Sequence, residues 1–256
     1  MPFALEERVG PCNSPTVLVD GFDVTGEPRE EDGRAACRLD LPNEEQISAA
    51  IRVLSTTKFE QSTAPGTLAA AFQVLLQTRE PLSIEALSSA KGWEAADVQK
   101  SVVALQRDGL VHLDADGYIV GVCGLSVTPT NHEMHIQGRI YWAWCALDVI
   151  GIFGALRVSG LARSLDPLTR CAIKLEFENG LPKETNLLIC MADHVPGLSI
   201  KETWCCNVNF FKLRSAGQAW MSENGVTGSI FVVENVTAAA REACLRLGVR
   251  ESWIRF

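Results

Sequence analysis

No surplus of basic residues marks this chain: Lys and Arg number 23 against 31 Asp and Glu, a net charge of −8 over 256 residues. A generic nucleic-acid binder, or a protein held on an anionic membrane, carries the opposite sign. No long hydrophobic run is present either. The most apolar stretch, 140–156, is interrupted by Asp148 and is shorter than the ~20 residues a spanning helix needs. The start of the chain holds Glu6, Glu7 and Arg8 but no apolar h-region, so no secretory leader is expected. Nor is there a C-x2–4-C pair. The 9 cysteines, an odd and scattered set, fit neither a disulfide framework nor a four-ligand zinc site. What remains is an ordinary globular composition, 47% hydrophobic and 21% charged, in one large domain or two modest ones. We expect a cytoplasmic protein with reduced thiols.

Three parts follow from the pattern. Residues 1–42 form an N-terminal extension. Thr16 to Val19 reads as a strand followed by the turn pair Asp20-Gly21. From Glu27 to Glu45 there are seven acids against three arginines, a solvated loop. Asn13-Ser14-Pro15 before the strand resembles the second half of a thioredoxin-like fold. With no first half and no C-x-x-C, it reads as an appendage rather than a redox domain.

Residues 43–124 read as a winged-helix-like module. Asn43 is a candidate N-cap with Gln46 at the third helical position, and Ile47, Ala50, Ile51 and Leu54 follow at helical spacing. A second helix carries Leu68, Ala71, Phe72, Leu75 and Leu76. A short one carries Ile84 and Leu87 and stops near Gly92. A last one carries Val98, Val102 and Leu105 and stops at Gly109. An Asp116-Gly117 turn between two apolar runs predicts a hairpin. A winged helix suggests DNA binding, but the last helix offers only Lys100 and Arg107, set against Glu94 and Asp97. A structural module is the better reading.

Residues 125–256 read as a catalytic core. Ala172–Phe177, Asn186–Met191, Thr203–Phe211 and Gly228–Val233 look like strands, and Thr237–Leu247 like a helix. Two segments could carry chemistry. In Trp144-Cys145-Ala146-Leu147-Asp148, a helix starting at the cysteine puts Cys145 and Asp148 on one face. A thiol at a helix N-terminus is expected to ionise more easily, and a nearby carboxylate can take its proton and return it. Taken alone, the pair fits a buried thiol beside a partnered acid better. In 203–211, strand alternation puts Lys201, Thr203, Cys205, Asn207 and Asn209 on a polar face and Trp204, Cys206, Val208 and Phe210 on an apolar one. That nominates Cys205 as the chemical thiol and leaves Cys206 to packing, while Lys201 reads equally as a group favouring the Cys205 thiolate or as an exposed lysine. His132 and His135 lie in a loop-like segment and read as solvated or packing. Two thiols without further ligands suit a soft ion that accepts linear thiolate coordination, such as a mercury or copper(I) species.

At these residues the chain resembles the bacterial alkylmercury (organomercurial) lyases. Arg139-Ile140-Tyr141-Trp142-Ala143-Trp144-Cys145-Ala146-Leu147-Asp148 is similar to that family's active-site segment, and Trp204-Cys205-Cys206-Asn207-Val208-Asn209-Phe210-Phe211 to its second cysteine segment. The resemblance covers roughly residues 60–240. It implies an α+β fold: the helical module followed by a mixed, largely antiparallel β core with flanking helices. It implies protonolysis of carbon–mercury bonds to a hydrocarbon and mercury(II), with no organic cofactor. Cys145 and Cys205 would hold the mercury and Asp148 would relay the proton. Trp144 would line the pocket for the organic group. Small thiols or a mercuric reductase would accept the metal. No nucleic-acid or membrane partner is implied. Three departures stand out. Residues 1–42 have no counterpart in compact members, Asn207 and Asn209 stand where histidines often occur, and Asp166 stands near a position that is often cysteine. Two rival readings remain, a non-enzymatic metal-responsive regulator on the winged helix and a lyase-fold relative acting on another substrate.

Overall fold

The computed structural model describes residues 18–19, 22–23, 64–184, 186–194 and 199–254. The chain divides into two compact units, 1–55 and 56–256. In the first, strands β1 (Leu18–Val19) and β2 (Phe22–Asp23) pair antiparallel. The helix expected from Asn43 and Gln46, and nearly all of the charged and thioredoxin-like segments, lie outside the described residues.

The described part of the second unit opens with three helices, α1 (Ala64–Thr78), α2 (Ile84–Lys91) and α3 (Ala95–Arg107). In α1, Leu68, Ala71, Phe72, Leu75 and Leu76 are all buried, the stripe expected of a helix with one face in a core. Helix α2 is capped by Ser83, whose Oγ accepts from the Ala86 N–H at 3.1 Å, and stops at Gly92 in the left-handed conformation. The hairpin of β3 (Val111–Leu113) and β4 (Ile119–Val122) turns at Asp114–Tyr118, where Asp114 Oδ1 accepts from the N–H groups of Asp116 and Tyr118.

Strands β5 (Leu125–Ser126), β6 (His132–Ile136) and β7 (Arg139–Ala143) come next, then helix α4 (Ala146–Leu156). After it come β8 (Gly160–Leu165), β9 (Ala172–Glu178), β10 (Leu181–Pro182) and β11 (Leu188–Ala192). Two short helical turns, Ile200–Trp204 (π) and Cys205–Asn207 (3-10), lead into β12 (Asn209–Phe211). Helix α5 (Arg214–Glu223), strand β13 (Gly228–Val232), helix α6 (Val233–Arg246) and a 3-10 turn (Glu251–Ile254) complete the described chain.

The architecture is α+β. An eight-stranded sheet runs β10-β9-β8-β6-β7-β5-β4-β3, and a smaller one runs β12-β11-β13. Every pairing among the described strands is antiparallel, so the core is not mixed as expected. The boundary drawn at 124–125 falls between β4 and β5, which are hydrogen-bonded neighbours with Val122 opposite Leu125. Buried residues of α1–α3, of the large sheet and of α4 share one hydrophobic core.

Two further expectations are corrected. His132 and His135 are in strand β6, not a loop. His132 is buried with Nδ1 2.9 Å from Ser164 Oγ, and burial pushes its ring down to about 4, so it is neutral. The segment 203–211 is a strand only from Asn209 onward. Its polar side chains cap carbonyls within the turns instead. Thr203 Oγ1 donates to Ser199 O (2.8 Å), Asn207 Nδ2 to Thr203 O (2.9 Å) and Asn209 Nδ2 to Cys206 O (3.0 Å). Such local bonds compete with a strand ladder.

Candidate active site

Helix α4 begins at the first thiol. Cys145 has extended backbone angles and occupies the N-cap, its Sγ accepting from the Asp148 N–H at 3.4 Å. The cap geometry puts Cys145 and Asp148 on the same first turn, as the three-residue spacing predicts. The second thiol arrives on the 3-10 turn at Cys205. The two segments are joined by a backbone bond from Ala146 N–H to Val208 O at 3.0 Å, while Val208 N–H closes the turn on Cys205 O at 3.1 Å. Sulfurs 60 residues apart in sequence are thereby held at one point. Cys145 Sγ, Cys205 Sγ and a carboxylate oxygen of Asp148 all lie within 4.8 Å of one another. The Cys205 thiol points to Asp148 Oδ2 at 3.9 Å.

Both thiols are buried, Cys145 at 0% and Cys205 at 3% exposure, while Asp148 keeps partial solvent contact. Burial dominates the protonation of Cys145. It pushes the thiol well above its ordinary range, with the hydrogen bond to Cys205 and the Asp148 charge adding to it. The easier ionisation expected at a helix N-terminus is therefore overruled. At Cys205 the hydrogen bond from Cys145 pulls the thiol down, but burial and the Asp148 charge together exceed it and the net direction is up. Lys201 does pull Cys205 down, as its smallest influence. Asp148 is raised to about 6, chiefly by burial, against the side-chain and backbone hydrogen bonds of Cys145 and the thiol of Cys205. A carboxyl that titrates near neutrality beside two protonated thiols can take a proton and give it back.

The room for that carboxyl comes from a neighbouring strand end. Gly124, with φ +85°, sits where a Cβ would lie 2.2 Å from Asp148 Cγ, and its carbonyl accepts from Trp144 N–H at 2.8 Å. Nothing in the sequence singles out this glycine. Two further buried thiols, Cys123 and Cys244, lie within electrostatic reach of the same carboxylate. Burial raises both, and the Asp148 charge adds to each.

The cysteines at 205 and 206 exchange places relative to expectation. Cys205 is inside, not on a polar face, and Cys206 is exposed, its thiol donating to Glu202 O at 3.2 Å. The turn, unlike a strand, sends neighbouring side chains to these opposite environments. Trp144 is buried, with its indole Nε1 edge against Gly121 of β4. Trp204, expected in the core, is half-buried and donates from Nε1 to Ala192 O at 2.6 Å. Asp166 is buried and accepts from the N–H groups of Leu168 and Thr169.

An α+β protein in which two buried thiols and one carboxylate converge is a thiol centre suited to a soft metal ion. Comparison with known proteins agrees. A profile of the alkylmercury lyase family (MerB) matches residues 125–244. The alkylmercury lyase of Staphylococcus epidermidis is 28% identical over 177 residues, 65% of this chain and 76% of that protein. That of Pseudomonas putida is 32% identical over 148 residues, 56% of this chain and 66% of that protein. The crystal structure of the mercury-bound form of MerB2 matches with a TM-score of 0.69 at 20% identity, covering 78% of this chain and 99% of that one, which speaks to the fold. Over residues 125–244 the chain is similar to the alkylmercury lyase family.

Proposed function

We propose that this chain cleaves carbon–mercury bonds by protonolysis, using Cys145 and Cys205 as mercury ligands and Asp148 as the proton carrier. The observation that carries this reading is the meeting of those three side chains within 4.8 Å. Mercury enters as substrate on a small thiol. One enzyme sulfur bonds to it, and the departing small thiol leaves with that sulfur's proton. Cys145 then bonds to mercury and passes its proton to Asp148. Thiolate ligation pushes electron density onto the metal and makes the bound carbon more basic. Asp148 delivers its proton to that carbon, the carbon–mercury bond breaks, and the hydrocarbon leaves. Mercury stays divalent on two thiolates, and no electron is exchanged with any other group. The three side chains supply ligands and proton, so the reaction needs no organic cofactor.

Trp144 provides an apolar wall for the organic group. Small thiols, or a mercuric reductase, take the product, and the protein works in the cytosol. No described helix is long and apolar enough to cross a membrane. The winged-helix-like module of α1–α3 and the β3–β4 hairpin serves as structure. Lys100 and Arg107 are already paired with Asp97 (3.3 Å) and Asp108 (3.0 Å), which disfavours the DNA-binding regulator.

The test is anaerobic incubation with phenylmercury and excess thiol, with benzene as the expected product. No benzene above a protein-free control would remove the proposal. Two variants probe the geometry. Gly124→Ala drives a methyl into the Asp148 carboxyl and should cut benzene release roughly hundredfold, while mercury(II) still titrates the two thiols. Cys206→Ser alters an exposed side chain and should stay within about twofold of the parent. An inactive Cys206→Ser protein would mean that the wrong cysteine has been assigned.

A further inference from the structure

Gly109 stops α3, and stopping a helix explains only part of why glycine stands there. Its N–H donates to Gln106 O at 3.0 Å, and the Leu110 N–H donates to Leu105 O at 2.9 Å, the pair of bonds by which a left-handed residue closes a helix. Its φ is +74°. Gly92 closes α2 with a φ of +67°, its N–H donating to Ser88 O. The two stops differ in their surroundings. A Cβ at Gly92 would meet nothing within 4 Å. One at Gly109 would lie 2.5 Å from Ile200 N, 2.8 Å from Ser199 Oγ and 3.1 Å from Lys201 N. Two of those atoms are main chain, so position 109 also needs glycine because another stretch of backbone lies against it.

The backbone that crosses Gly109 opens the turn that delivers the second thiol. Ser199 O accepts from Thr203 N–H at 3.0 Å and from Thr203 Oγ1 at 2.8 Å. Ile200 O accepts from the N–H of Cys205 itself. On the other side, Cys205 O accepts from Val208 N–H at 3.1 Å, and Val208 O accepts from the N–H of Ala146, next to Cys145, at 3.0 Å. Cys205 is therefore held from two directions, by the start of α4 through Val208 and by the end of α3 through Ile200. Leu110 and Ile200 both pack against the main hydrophobic core, so the contact at Gly109 belongs to that core.

We propose that Gly109 is a positioning residue for Cys205: by letting residues 199–201 lie against the end of α3, it sets where the second sulfur stands relative to Cys145 and Asp148. The inference rests on the two-sulfur reading above, and it gives the helical module a part in building the site. A Cβ at position 109 pushes Ile200 away from α3, and the carbonyl that holds the Cys205 N–H moves with it. Capture of a mercurial by one sulfur tolerates that shift, because Cys145 is placed independently by the cap of α4. A step that needs both sulfurs on one metal does not, since misplacing a reacting group by a fraction of an ångström to an ångström is costly.

The test compares Gly109→Ala with Gly92→Ala, which brings the same left-handed strain to a helix stop where no neighbour is near. Both should melt a few degrees below the parent. Gly109→Ala should still bind one equivalent of phenylmercury. It should release benzene about tenfold or more slowly at saturating substrate, and hold mercury(II) about tenfold more weakly against glutathione. Gly92→Ala should stay within about twofold of the parent in both measurements. Gly109→Asn, which tolerates a positive φ but still carries the Cβ, should melt closer to the parent and share the kinetic defect. Parental turnover and mercury retention in either Gly109 variant overturn the proposal, as does an equal loss in Gly92→Ala. A second measurement uses the parent protein. Mercury(II) bound to the two thiols should shift the Gly109 amide resonance saturably and leave that of Gly92 in place, and an unmoved Gly109 amide also overturns the proposal. If the parent yields no benzene, the lyase reading fails, while the mercury(II) competition and the amide shift still decide the role of Gly109.

Discussion

Cys145→Ser is expected to abolish benzene release from phenylmercury, by about a thousandfold or more, while leaving the fold intact. The two halves of that expectation have separate causes. A hydroxyl is a hard, neutral group that does not replace a thiolate on a soft metal. Serine is nevertheless a better helix N-cap than cysteine, and position 145 caps α4 by accepting from Asp148 N–H. The variant should therefore melt no lower than the parent, so lost activity cannot be blamed on unfolding. Cys205→Ser should lose activity to the same extent. Its hydroxyl lands in a site that is 3% exposed, where the Asp148 carboxylate remains available as acceptor. Each single variant should still bind one equivalent of phenylmercury through the remaining sulfur without cleaving it. Measured benzene release near the parental rate from either serine variant would dissolve the two-sulfur mechanism.

The readability of this chain divides by range of interaction. Helices α1–α3 and the β3–β4 hairpin follow from spacing, caps and an Asp-Gly turn, all of which act within a few residues. Leu68 to Leu76 and the stop at Gly92 are where the pattern puts them. Helix α4 also follows locally, because Cys145 and Asp148 are held by one cap. The segment around Cys205 shows the limit. Alternation was read through Thr203, Asn207 and Asn209 as a polar strand face, but these side chains bind carbonyls three or four residues back and wind the chain into turns. Alternation puts Cys205 on a polar strand face, whereas it stands in the interior. Strands β6 and β7 were hidden for a different reason. Their residues face a fully covered sheet on one side, and His132 and Tyr141 satisfy their polar atoms through Ser164 and the Leu76 carbonyl. Gly124 could not be recognised at all without the structure, since its importance lies in the carboxyl that comes from another element.

The proton carrier gives the other large effect, and it has two signs. Burial raises Asp148 from the ordinary 3.8 to about 6, so the folded protein binds this proton more tightly than the unfolded chain does. Its favourable contribution to stability is complete below about pH 4 and is lost as pH rises through 6, since above that the folded state carries a buried charge the unfolded chain would hydrate. The separation corresponds to at most about 3 kcal/mol, with the partial exposure of the side chain lowering it. Asp148→Asn removes the charge and keeps an acceptor for the Cys205 thiol. It should melt higher than the parent at pH 8 and no higher at pH 4. The same substitution leaves no group to take the thiol proton, so benzene release should fall by about a hundredfold or more. Below neutrality the parent's rate should decline through an apparent pKa near 6, where Asp148 can no longer accept a proton, and that limb should be missing from any residual activity of the variant. An Asp148→Asn protein with unchanged pH-dependence of both melting and rate would show that the carboxyl neither carries a buried charge nor moves the proton. A gain in stability together with a loss of turnover is the outcome that a strained, working acid between two thiols requires.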